Sequence, residues 1–175
     1  MSSIYEKLES AIRDVSLVAN KNYPDTPIIF SHQNGSEPSQ TFISVNLLRV
    51  EQQGKSAIAG RLNRDNTLDV RVVYDALVQF SFLGNDAGKI AHDFLHYFNS
   101  PETLEAMSKH KVALLRKTSL RRNPQRRDTR WVESFNFDAT FNYIVNTPEL
   151  ITPVEHIVID ESYADDIRVI PPFPI

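Results

Sequence analysis

The sequence contains no cysteine. This absence excludes disulfides, iron–sulfur clusters, thiolate zinc sites and cysteine nucleophiles together. There is no run of about 18 consecutive apolar residues, and residues 1–10 carry Glu6, Lys7 and Glu9 where a secretory signal would be apolar. We therefore expect a soluble protein that is made in the cytoplasm and has no membrane partner.

Aromatic residues, in contrast, are plentiful. The 175 residues include ten phenylalanines and six tyrosines, but only two methionines and one tryptophan. The aromatic residues favour sheet surfaces on which aromatic rings pack. The small number of methionines gives no indication of a flexible groove that adapts to many partners. The length and an apolar content of 41% suffice for one folding unit with a real core.

The charge of the chain is distributed unevenly. The net charge is −3, yet residues 109–130 hold nine of the 19 basic residues and one of the 22 acidic residues. This stretch therefore carries +8 and the remainder of the chain −11. A chain of this kind presents its positive stretch to an acidic partner, either nucleic acid or another copy of the protein.

Hydrophobic periodicity predicts the order of the elements. Ser3 and Glu6 have the spacing of a capping box, and apolar residues recur at helical period over Ile4–Ala19. Alternation of apolar and polar residues over 68–83 and 133–145 predicts two long, half-buried strands. Shorter strands are predicted at 28–30, 41–51 and 112–115, helices at 87–98 and 101–109, and polar connections at 54–66 and 120–130.

These elements predict an α+β fold, in which an antiparallel or mixed sheet of about four to five strands is flanked by two main helices. We assign this domain to residues 1–146. Residues 147–175, with a net charge of −5 and a proline-rich end, are predicted to form an extended acidic arm. Within that arm, 157–159 and 167–170 are the candidate strands.

Gly84, Gly88 and Lys89 resemble a phosphate-binding loop only superficially. The two glycines are one residue too close, and Ile90 stands where such a loop requires a metal-binding Ser or Thr. A plain turn between a strand and a helix explains the glycines better.

No catalytic constellation stands out. His92 and His96 have the spacing of zinc ligands on a helix, but they lie off its apolar face and no third ligand is nearby. The chain has no Gly-x-Ser-x-Gly elbow and no evident pair of carboxylates. We therefore predict a protein that is not an enzyme and has no catalytic residue, no cofactor and no metal.

The basic stretch is the candidate functional site. Guanidinium groups match phosphates and carboxylates, and an indole ring can stack beside them. Three interpretations stay open: contact with DNA, docking on an acidic arm or face of a neighbouring subunit, and a solvated hairpin. The candidate interface or DNA-facing residues are Arg116, Lys117, Arg121, Arg122, Arg126, Arg127, Arg130 and Trp131, on a hairpin and its tip.

The junction between the long strand predicted over 68–83 and the second helix resembles phage neck and tail-terminator proteins. Residues 78–87 read Val-Gln-Phe-Ser-Phe-Leu-Gly-Asn-Asp-Ala and are followed by Ile90-Ala91 and Phe94-Leu95. In that family, a strand of alternating hydrophobic residues with a late Phe and Gly leads into a helix that begins Asp-Ala. Arg130-Trp131 before the aromatic strand and the element order are also similar, so the resemblance covers residues 3–146.

The resemblance implies a structural virion protein of the phage neck, assembled in the host cytoplasm. It implies a homohexameric ring that terminates the tail tube and joins it to the head connector, with a channel for double-stranded DNA. The partners would be other copies of the chain, the tail tube, the sheath protein, the head connector and the DNA in the lumen. The alternative is a nucleic-acid-binding module that uses the Arg-rich hairpin over residues 116–130.

Overall fold

The computed structural model describes residues 3–33, 35–54, 57–58, 67–127 and 129–150. The helices are α1 (Ile4–Ala19), α2 (Ala87–Tyr97) and α3 (Pro101–Lys109). The strands are β1 (Ile28–Phe30), β2 (Phe42–Gln52), β3 (Ala57–Ile58), β4 (Thr67–Leu83), β5 (Val112–Lys117), β6 (Arg121–Arg122), β7 (Gln125–Arg127), β8 (Arg130–Val132) and β9 (Ser134–Leu150). Each helix and strand predicted before residue 146 is present.

The strands form a mixed sheet. Five of them run in the order β1-β2-β4-β9-β5, and β3 and β6 add short pairings to β4 and β9. Strands β1 and β2 are parallel, whereas the other pairs along this path are antiparallel. The predicted α+β class is confirmed, with α1 and α2 as the longer helices.

Helix α1 begins where the capping box predicted it. The Ser3 hydroxyl accepts a hydrogen bond from the Glu6 amide at 3.2 Å, and the Glu6 carboxylate accepts one from the Ser3 amide at 2.9 Å. These bonds satisfy amides that have no partner inside the first turn. Leu8, Ile12 and Val15 on the apolar stripe of α1 are buried in the core.

An aromatic cluster joins the two long strands to α2. Phe80 on β4 and Phe137 on β9 are register partners, and their rings stack with centroids 5.0 Å apart. Phe94 lies 5.5 Å from Phe80, and Phe98 lies 6.0 Å from Phe137, again between ring centroids. All four side chains are buried, and each contributes about 1.5–3 kcal/mol through burial alone. The alternation of the strands and the helical period predicted this core.

Strand β9 is longer than its alternation indicated. It pairs with β4 from Ser134, opposite Leu83, to Leu150, opposite Thr67. The apolar alternation ends at Val145, but pairing between backbones does not require it. Residues 147–150 of the predicted arm therefore lie in the sheet, whereas residues 151–175, with both candidate strands, lie outside the described residues.

The predicted polar connection over 120–130 contains strand structure as well as a turn. Strand β6 adds to the edge of β9, and β7 and β8 pair with each other as a separate two-stranded sheet. Likewise, β3 lies within the connection predicted over 54–66. The sequence pattern missed these strands because two or three residues are too few to show an alternating period.

Candidate interface at the basic hairpin

The chain enters the candidate site through β6. The Asn123 amide donates a 2.8 Å hydrogen bond to the Ser134 carbonyl, next to the pairing of β6 with β9. Pro124 follows and has no amide hydrogen to offer this ladder. The chain leaves the main sheet at this point, and Gln125 begins the β7–β8 hairpin.

Two arginines of the predicted site are paired with carboxylates of the same chain. Arg121 Nη2 lies 2.5 Å from Asp138 Oδ2, and Arg121 Nε donates to Asn136 Oδ1 at 3.3 Å. Arg122 forms an ion pair with Glu133. The charge on both guanidinium groups is therefore offset within the subunit.

Two further cationic side chains, both on strand β5, form hydrogen bonds with neighbouring elements. Arg116 Nε donates a 3.2 Å hydrogen bond to Thr140 Oγ1 on β9. Lys117 Nζ donates one of 3.4 Å to the Leu95 carbonyl of α2, and burial lowers the pKa of the Lys117 ammonium. These side chains hold the edge of the sheet to its neighbours, so part of their donor capacity is used within the fold.

The β7–β8 hairpin carries the outward-facing part of the site. Arg126 lies opposite Trp131, and Arg127 lies opposite Arg130. Arg126 and Arg130 are exposed, and neither has an ion-pair partner in the part of the chain that the structure describes. Trp131 is 71% exposed, which leaves a large apolar surface in water. The hairpin thus offers guanidinium groups beside an aromatic ring.

The predicted residues divide between two local settings. Arg116, Lys117, Arg121 and Arg122 contact the main sheet or α2, whereas Arg126, Arg127, Arg130 and Trp131 belong to the hairpin. Sequence reasoning missed Asn136 and Asp138 as partners of Arg121. Alternation had placed both on the polar face of β9, but the register that brings them to Arg121 arises from tertiary pairing.

The glycine and histidine motifs occupy ordinary structural positions. Gly84 (φ 121°) forms the turn between β4 and α2, and a Cβ there would lie 2.7 Å from the Thr41 Cα. The ammonium of Lys89 lies 5.8 Å from the centroid of the Tyr23 ring. The His92 side chain is 82% exposed. Over the described ranges, no group of three or more His, Asp or Glu side chains could hold a metal ion.

Within the residues that the structure covers, no helix is long and apolar enough to cross a bilayer.

A family model described as "Phage neck terminator protein" matches residues 2–166 of the chain. The chain belongs to the phage neck terminator family. The match includes both the strand-to-helix junction and the basic hairpin, and it confirms the family that the resemblance indicated. Membership places the chain among the structural terminator proteins of the phage neck.

Solved structures include one that is similar to this neck terminator. It is the sheath/tube terminator of an extracellular contractile injection system, PVC, determined by cryo-EM in its extended state. The sequence identity is 14% and the TM-score 0.42. The match covers 93% of this chain and 65% of that chain, so the present chain spans less than two thirds of that protein's length. No curated protein matches the sequence.

Proposed function

We propose that the protein assembles into a closed homohexameric ring that terminates the tail tube and joins it to the head connector. The ring contacts the tube and the sheath on one side and the connector on the other, and double-stranded DNA passes through its lumen. Assembly takes place in the host cytoplasm, and the ring stays in the virion. Membership of the neck terminator family supports this proposal, because contacts between unlike surfaces of identical copies close into rings.

The observation that carries the proposal is the exposed β7–β8 hairpin. Trp131 on this hairpin is 71% exposed and lies opposite Arg126. Tryptophan and arginine are the residues that dominate the binding energy of protein interfaces when they are buried there. Burial of an indole exposed to this degree contributes about 3 kcal/mol by area alone. A contact with a neighbouring copy would supply this burial.

Charge complementarity supports the same contact. Arg126 and Arg130 have no ion-pair partner among the described residues, while the chain outside residues 109–130 has a net charge of −11. In the proposed ring, the positive hairpin of each copy contacts acidic side chains of its neighbour. Opposite charges of this kind set the register between subunits and disfavour wrong partners.

Native mass spectrometry of the full-length chain over a range of concentrations tests the proposal. The unmodified protein is expected as a discrete hexamer. The double variant Arg126→Glu with Arg130→Glu is expected to shift the population toward monomer, because both contacts become repulsive. The control Lys7→Glu with Arg49→Glu makes the same change in net charge at exposed positions on α1 and β2.

The outcomes separate the parts of the proposal. A protein that stays monomeric at every concentration, and also when tail tubes are added, contradicts the ring. Unchanged assembly of the hairpin variant removes the hairpin from the interface. Equal loss of assembly in both double variants attributes the effect to net charge and not to the hairpin.

The second candidate function is DNA binding through the hairpin, and the cross-strand pairing of Arg126 with Trp131 favours it. Arg121 and Arg122 are already paired with carboxylates, so this function would rest on the arginines of the β7–β8 hairpin. Contact through Arg126 and Arg130 alone predicts a slope of about −2 for the logarithm of affinity against the logarithm of salt concentration. A duplex DNA titration of the monomer measures this slope, and a monomer that binds no DNA at low salt excludes this function.

A further inference from the structure

At one corner of the sheet, β9 extends beyond the residues that pair with β5. The β5 ladder begins with Val112 opposite Tyr143. The Ile144 amide then donates a 3.2 Å hydrogen bond to the Lys111 carbonyl. From there to Leu150, β9 has β4 as its strand partner among the described residues, and its other edge is unpaired within them.

A cavity of about 440 Å³ lies at this corner. Its polar lining comes from Arg71 on β4, Asn146 on β9, Lys111 and Ser108, and its apolar lining includes Ile144. Arg71 and Asn146 are register partners. Arg71 and Lys111 are exposed, and no carboxylate of the described part of the chain forms an ion pair with either. The cavity is therefore positively charged and has an apolar wall.

Lys111, which lines this cavity, has a left-handed backbone conformation. Lys111 has φ 56° and follows the C-cap of α3, His110. This position after a helix usually holds glycine, because side chains strain the left-handed conformation. A lysine lines the cavity at this position despite that strain, which favours a role for its side chain.

We propose that this cavity binds carboxylates of residues 151–175 of the same chain. That segment has five acidic residues, Glu155, Asp160, Glu161, Asp165 and Asp166, against one basic residue, Arg168. Apolar Ile157, Val158 and Ile159 immediately precede two of the acids. An acidic and apolar segment matches a cavity that combines two cations with an apolar wall.

The length of the chain permits this contact within one subunit. Leu150 lies four residues beyond Asn146 on β9, a separation of about 13 Å at the rise of a strand. Glu155 is five residues beyond Leu150 and reaches at most about 17 Å from it. Glu155 therefore just reaches back to the cavity, and Asp160 and Glu161 reach it with chain to spare.

A zero-length carbodiimide cross-link tests the proposal on the full-length protein, because it joins a lysine amine to a carboxylate only when the two are in contact. Peptide mass spectrometry is expected to find Lys111 joined to Glu155, Asp160 or Glu161. Preparing a mixture of ¹⁴N- and ¹⁵N-labelled protein distinguishes the source of the segment. Cross-links confined to one isotope support the proposal, and mixed-isotope cross-links overturn it in favour of a second copy.

Variants make the test specific to the cavity. Arg71→Glu keeps the Lys111 amine and is expected to lower the yield of its cross-link about threefold to fivefold, the change in population that an exposed ion pair produces. Arg49→Glu, on another strand of the same sheet, is expected to leave the yield unchanged. The proposal is overturned if both variants lower the yield equally, or if Lys111 gives no more cross-link than its neighbour Lys109.

Discussion

Arg121 on β6 lies 2.5 Å from Asp138 on β9, with the Arg121 Nη2 atom against the carboxylate. This ion pair distinguishes the part of the basic stretch that lies in the sheet from the part that lies on the hairpin. Arg121 belongs to the sheet, because Asp138 and Asn136 use its donors. Arg126, only five residues later, lies on the β7–β8 hairpin and has no such partner among the described residues. Two residues of the same type and in the same charge run therefore have different surroundings.

The first prediction concerns this division. Arg121→Ala is expected to lower the free energy of unfolding by up to about 1 kcal/mol, because Asp138 loses the partner of an exposed ion pair. Arg126→Ala is expected to change it by less than about 0.5 kcal/mol. Urea unfolding monitored by circular dichroism measures both. Equal effects of the two variants would contradict the division.

The second prediction concerns the aromatic core. Phe137→Ala is expected to lower the free energy of unfolding by about 3–5 kcal/mol. The Phe137 ring is fully buried and stacks on Phe80, so its removal leaves a cavity in the core. Phe137→Leu, which keeps most of the volume, should cost less and serves if the alanine variant does not fold. Trp131→Ala is the control, because an aromatic ring that is 71% exposed contributes little to the isolated subunit. A drop of similar size in the tryptophan variant would contradict this assignment of the core.

The third prediction concerns the turn before α2. Gly84→Ala is expected to lower the free energy of unfolding by more than about 2 kcal/mol. The new Cβ would lie 2.7 Å from the Thr41 Cα, at a φ of 121° that disfavours any side chain. Gly35→Ala has open space around its Cβ and is the control, expected within about 0.5 kcal/mol of the unmodified protein. Thermal unfolding compares the two, and an undiminished melting temperature in Gly84→Ala would show that the turn tolerates a side chain.

The fourth prediction concerns the strained residue after α3. Lys111→Gly is expected to raise the free energy of unfolding by about 0.5–1 kcal/mol, because glycine adopts a φ of 56° without strain. Lys111→Ala removes the same ammonium but keeps the strain, so it is expected to give no such gain. Denaturant unfolding of both variants separates the backbone effect from the loss of charge. A gain of the same size in the alanine variant would attribute the effect to the charge.

The fifth prediction concerns pH. The Tyr23 hydroxyl donates a hydrogen bond to the Asp93 carboxylate, which raises the pKa of Tyr23 to about 12 and lowers the pKa of Asp93. The Tyr23 contribution to stability is present below its ordinary pKa of 10.0 and is lost as the pH rises through about 12. The Asp93 contribution is present above its ordinary pKa of 3.8 and is lost as the pH falls through the lowered value.

Carboxyl ¹³C NMR measures this coupling directly. In Tyr23→Phe, Asp93 is expected to titrate at higher pH than in the unmodified protein, because its hydrogen-bond donor is gone. Tyr5→Phe is the matched control, since Tyr5 is 50% exposed and lies on α1. An unchanged Asp93 titration in Tyr23→Phe would contradict the assigned cause of the shift.

Much of the fold follows from local pattern. The capping box of Ser3 and Glu6 marked the start of α1, and alternation marked the buried face of β4 from Ala76 to Phe82. The end of β9 was missed, because its last residues are held by pairing with β4 and not by an apolar face. The short strands β6, β7 and β8 were missed because two or three residues are too few to show an alternating period.

The sequence by itself determined the helices, the long strands, the aromatic core and the location of the positive charge, because each depends on neighbours within a few residues along the chain. Only the tertiary structure decided which cations are left for a partner. Arg121 meets Asp138 because β6 pairs with β9 in a register that sets Arg121 opposite Asn136. Arg126 has no such partner among the described residues, because the chain leaves the main sheet at Pro124. Register between strands depends on residues far apart in sequence, and no local period encodes it.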